Sequence, residues 1–86
     1  MPEISRFLGI IISMYFDEHN PPHFHAQYGE SKAQILIKDL IVKQGELPSR
    51  VLGLVVEWAV LHRKELLSNW ENARKSLKLK KIPPLA

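Results

Sequence analysis

Eighty-six residues with 12 Lys+Arg against 9 Asp+Glu, a net charge of +3 and 45% apolar side chains describe one ordinary globular domain and leave no room for a second. There is no cysteine, which excludes thiol nucleophiles, Cys-zinc sites, disulfides and thiol redox chemistry. The longest early apolar stretch, Leu8-Gly9-Ile10-Ile11-Ile12, falls far short of the roughly 18–20 residues of a membrane span. No small-residue cleavage site stands before Met14-Tyr15-Phe16, so a cytoplasmic protein without a membrane role is expected.

In chain order, Ile10 to Phe16 is β-branched and aromatic and predicts a strand. Asp17-Glu18-His19-Asn20-Pro21-Pro22 breaks it with turn punctuation. His23 to Tyr28 resumes an alternating pattern, and Gly29-Glu30 closes it. Lys32 to Lys38 predicts a third strand, and Leu40 to Lys43 a short fourth. Connections this short permit hairpins but no parallel crossover, so the strands form an antiparallel meander. From Pro48 the period changes to that of a helix, with Val51, Val55, Trp58, Ala59, His62, Leu66, Asn69 and Ala73 on one face. The expectation is an α+β domain: a small antiparallel sheet of three to four strands, with one long C-terminal helix packed on one face. Residues 1–45 would be the meander, 48–76 the helix and 77–86 an extended basic tail. Such a helix is about 42 Å long, against about 20 Å for the strands. It must overhang, bend near Ser68-Asn69, or pack on a second subunit, and a homodimer or a small protein partner is expected.

Three of the four histidines, His19, His23 and His25, lie within seven residues. Strand alternation puts His23 and His25 on one face, with Gln27 next in line. Phe24, Ala26 and Tyr28 face the other way, toward a core shared with Ile10, Ile12, Met14 and Phe16 and with Ala33, Ile35 and Ile37. The open face then carries Ile11, Ser13, Tyr15 and Asp17, and Gln34, Leu36 and Lys38.

Two chemistries want this arrangement. Neutral imidazoles one pleat apart can bind Zn or another transition metal, with His19 or Asp17 as a third ligand. Alternatively, His23 and His25 can act as general base and general acid on a phosphodiester, with Asp17, His19 and Tyr15 in support. The same residues also suit recognition by stacking or hydrogen bonding, or a structural turn whose histidines cap backbone groups.

On the helix, His62 and Asn69 fall within the apolar stripe, where polar groups need buried partners, so a structural role is expected for both. Residues 62–81 sum to +5 and everything before them to −2. Arg74, Lys75, Lys78, Lys80 and Lys81 therefore form a basic end suited to RNA phosphates or an acidic partner. Helix-dipole compensation would explain the same charges. The basic end has neither aromatic interleaving nor helix-turn-helix spacing, so sequence-specific DNA reading is not expected.

Several segments together resemble a family of small bacterial proteins classed only as a domain of unknown function. They are Pro2-Glu3-Ile4-Ser5-Arg6-Phe7, Gly9-Ile10, Met14-Tyr15, His19-Asn20-Pro21-Pro22-His23-Phe24-His25-Ala26, Trp58-Ala59, Leu61 to Leu67, Asn69-Trp70 and Ile82-Pro83-Pro84-Leu85. The resemblance implies a bacterial setting and a gene beside that of a second small domain, in the manner of toxin–antitoxin pairs. It carries no activity, cofactor or catalytic residue. Two functions stay open: a His-x-His site handling RNA or a metal, and a non-catalytic interaction module with structural histidines.

Overall fold

The computed structural model describes residues 2–16 and 19–86. Five strands run in chain order: β1 (Glu3–Phe7), β2 (Ile10–Ser13), β3 (His23–Tyr28), β4 (Ser31–Leu36) and β5 (Val42–Gly45). Each pairs antiparallel with the next, giving one meander sheet of order β1-β2-β3-β4-β5. Tight turns set the register. Leu8 and Gly9, both at positive φ (48° and 79°), connect β1 to β2 as a two-residue turn whose twist matches the strands. Gly29-Glu30 does the same between β3 and β4, with Gly29 at φ 59°.

The strand count is one more than the three to four expected, because β1 escapes a periodicity argument. It is short and carries Glu3 and Arg6, and its pairing with β2 shifts register between Glu3 and Ser5. That irregularity breaks the alternation by which a strand is recognised. β5 also lies later than the expected Leu40–Lys43, since Ile37 to Ile41 form the connection and Leu40 adopts φ 55°.

The single long helix is corrected to two, α1 (Ser49–Leu61) and α2 (Arg63–Arg74). The break falls at His62, not at Ser68-Asn69. His62 sits at φ −123°, ψ 24°, outside helical space, and its own carbonyl accepts from Leu66 N to begin α2. A straight helix over the same residues would run about 39 Å, more than the molecule's longest dimension of 33 Å. Each half is about 20 Å long and matches the strands. The overhang that called for a second subunit is therefore gone.

The core lies between the helices and one sheet face. Ile10, Ile12, Met14, Phe24, Ala26, Ala33, Ile35 and Ile37 are buried there against Val51, Val55, Trp58, Ala59, Leu66 and Trp70. Trp58 is central, with ring centroids 5.5 Å from Phe7 and 6.0 Å from Phe24. Phe16, expected in this row, is 42% exposed because β2 ends three residues earlier. Tyr28 is only partly buried.

The segment after α2 is extended and fastened along its length. Asn69 holds Lys80 by two bonds, Nδ2 to the Lys80 carbonyl (2.8 Å) and Lys80 N to Oδ1 (2.9 Å). Ile82 N donates to the Ile4 carbonyl (2.8 Å), and Trp58 Nε1 donates to the Pro83 carbonyl (2.9 Å). The outer edge of β1 is thus covered by the chain itself, a common defence of sheet edges.

Candidate functional site

Cross-strand register builds the site. Ser13 stands opposite His25, His25 opposite Gln34, and Gln34 opposite Gln44. Core residues occupy the alternate positions, so this rung crosses four strands on the face away from the helices. A half-open groove of about 240 Å³ runs along it, with Tyr15, Gln27 and Lys32 also in its walls. The Tyr15 ring meets His25 edge to face at 4.3 Å and 87°. The rung grades from buried Ser13 through half-buried His25 and Gln34 to exposed Gln44.

His23 and His25 do not share this exposure. Their rings lie 5.4 Å apart, but His23 is 1% exposed. It occupies the last rung beside the Pro21-Pro22 turn, with its ring centroid 5.1 Å from that of Trp70 in α2. Its Nδ1 lies 2.9 Å from the Pro21 carbonyl. A carbonyl can only accept, so Nδ1 carries the hydrogen of this bond. His19 is exposed, and Asp17 lies outside the described residues. Among the described residues, no three His, Asp or Glu side chains come together as a metal-holding group.

His62 is not in the core stripe. Its side chain is partly exposed at the helix break, with its ring 5.6 Å from Trp58 and Nδ1 2.5 Å from Glu65 Oε1. Asn69 is 2% exposed and spends its amide on the Lys80 backbone. Lys80 and Lys81 line a second groove, of about 260 Å³, with Lys64, Ser68 and Asn69. It shares no lining residue with the histidine groove. Lys81 Nζ donates to the Glu3 carbonyl (2.8 Å), Arg74 lies 3.9 Å from Glu71, and Lys75 and Lys78 are exposed. The basic end and the histidines therefore do not form one site.

Lys32, Gln44 and Gly45 belong to the groove and were not singled out by sequence reasoning. Lys32 carries the same alternation signal as Gln34 and could have been read from it. Gln44 and Gly45 depend on where β5 begins, which the Leu40 turn decides.

This geometry defines a small α+β domain whose meander sheet buries one face under a helix pair and leaves the other open, with a polar groove. The chain belongs to the family described as Domain of unknown function (DUF4160), whose model matches residues 9–71. The matched span takes in the groove, both strand histidines and most of the helix pair, and stops before Lys80 and Lys81. No curated protein and no solved structure matches the chain. No helix among the described residues is long and apolar enough to cross a membrane.

Proposed function

We propose that the groove around His25 handles a phosphodiester of RNA, and that the chain works as one component of a toxin–antitoxin-like pair. The observation that carries this reading is the placement of His25, an imidazole on the wall of an open polar groove with Tyr15 against its ring and Lys32 in the same groove. Neutral imidazole accepts a proton near neutral pH, and Lys32 supplies a charge for phosphate. In this reaction His25 takes the proton of a ribose 2′-hydroxyl as its oxygen attacks the adjacent phosphorus. The P–O5′ bond breaks, and water protonates the departing 5′-oxygen.

His23 is assigned a positioning role, holding the start of β3 against Trp70 and the Pro21 carbonyl. A zinc or other transition-metal ion on His19, His23 and His25 fits less well, because His23 is buried while His19 is exposed, and among the described residues no three His, Asp or Glu side chains come together. Arg74, Lys75, Lys78, Lys80 and Lys81 would meet the backbone of a longer strand, in a salt-dependent way.

The test is cleavage of single-stranded RNA by the wild type, His25→Ala and His25→Asn. Products ending in a 2′,3′-cyclic phosphate are expected, with rates falling about 100-fold or more in both variants. Equal rates in all three would sink the reading. A non-catalytic interaction module is the second reading, favoured by His23, whose ring is buried and bonded to backbone. It predicts that His25→Ala keeps every cellular effect of the wild type and still captures the neighbouring gene's product.

A further inference from the structure

We infer that Gln34 and Gln44 read the edge of one unpaired nucleobase in the groove, and so determine which RNA the site accepts. The inference rests on the RNA reading above and names its substrate as single-stranded. Gln34 and Gln44 are cross-strand partners on neighbouring strands, with backbones about 4.8 Å apart. Each carboxamide offers an acceptor oxygen and a donor NH2, the complement of the adjacent donor and acceptor atoms along a base edge.

Among the described residues neither amide is bonded to protein, whereas Gln27 spends its Nε2 on the Gly29 carbonyl (3.2 Å). Next to them, Tyr15 and His25 supply the aromatic rings on which proteins stack unpaired bases. Lys32, on the following rung, supplies the charge for the attached phosphate. The volume of about 240 Å³ is below the roughly 300–1,000 Å³ of pockets for larger ligands, and suits one base. A single lysine among amides, a hydroxyl and aromatic rings suits a base with its phosphate better than an acidic peptide, which would need several cations.

The experiment measures binding of 2′-O-methyl oligomers of A, U, C and G, which lack the attacking hydroxyl, by fluorescence anisotropy. Wild type, Gln34→Ala, Gln44→Ala, the double variant and Gln34→Glu are compared, and their melting temperatures confirm folding. The wild type should prefer one base over the poorest by about tenfold or more. The double variant should bring all four within about twofold at the affinity of the poorest, and Gln34→Glu should change the ranking. Nucleoside monophosphates should follow the same ranking more weakly; binding as tight as the oligomer's would overturn the single-strand assignment in favour of a free nucleotide. Equal binding of the four oligomers, or a ranking kept by the double variant, overturns the inference. If cleavage still depends on His25 in that case, the RNA reading stands without it. If no oligomer binds, or only a protein partner does, both fall.

Discussion

The two faces of the sheet come from the same strands, one residue out of phase. On the covered side, the rung Ile12–Ala26–Ala33 carries three apolar groups pressed under the helices. On the open side, the rung Ser13–His25–Gln34–Gln44 carries hydroxyl, imidazole and amides along a groove. Slipping any strand by one residue would exchange the two sets. The apolar face therefore does more than hold the fold together. It fixes the register that lines up the polar rung, and damage to one face should read differently from damage to the other.

The largest effect is expected on the covered face. Trp58→Ala removes the ring against Phe7 and Phe24 and the bond to Pro83, and should cost about 3–5 kcal/mol in urea unfolding. Gly45→Ala challenges the comparison, because Gly45 lines the open groove yet should behave as a structural position. Its φ is +81°, and an added Cβ would lie 2.2 Å from the Lys32 carbonyl, so a loss of about 1–3 kcal/mol is expected from the same measurement. Asn69→Ala leaves the Lys80 backbone without its two partners and should lose about 1–3 kcal/mol. Backbone exchange at Lys80 should rise with it.

Single substitutions on the open face should barely move stability. His25→Ala and Gln34→Ala are expected within about 0.5–1 kcal/mol of wild type while RNA cleavage or binding changes sharply, which separates the two faces cleanly. The smallest effect belongs to the exposed rim of β1. The Glu3 carboxyl is held below its usual range, first by the Arg6 side-chain hydrogen bond and then by the Arg6 and Lys81 charges, with desolvation opposing. A depressed carboxyl stabilises the fold above the unfolded-state value and loses that contribution as pH falls through the folded value. The melting-temperature gap between wild type and Glu3→Gln should therefore be small at pH 7 and close in acid, and 1 M salt should also shrink it.

The face assignment was legible wherever alternation held. Phe24 to Ala26 and Ala33 to Ile37 alternate without interruption, and their buried and open sets follow from parity alone; Ile10 to Met14 follows the same parity except at Ser13, which lines the groove yet is buried. Three features were hidden because they depend on irregular backbone or on contacts distant in sequence. β1 is disguised by its register shift beside Glu3. The helix break falls on His62, a residue that fits the apolar stripe by angle, and only the size of the core limits how far one helix can run. His23 has the parity of His25, yet Trp70, 47 positions later, covers it. Spacing within a strand cannot announce a side chain arriving from another element.

The fastening of residues 80–83 over β1 has a consequence for how the molecule is made. Glu3 and Lys81 are 78 positions apart, yet one donates to the other's backbone, and Ile4 is matched by Ile82. The first strand of this sheet is thus among the last to be completed. Until residues 80–83 emerge, a nascent chain presents the outer edge of β1 unpaired and the Trp58 indole without its acceptor. The edge of β1 therefore stays exposed from its own synthesis until these residues, nearly 80 positions later, have followed.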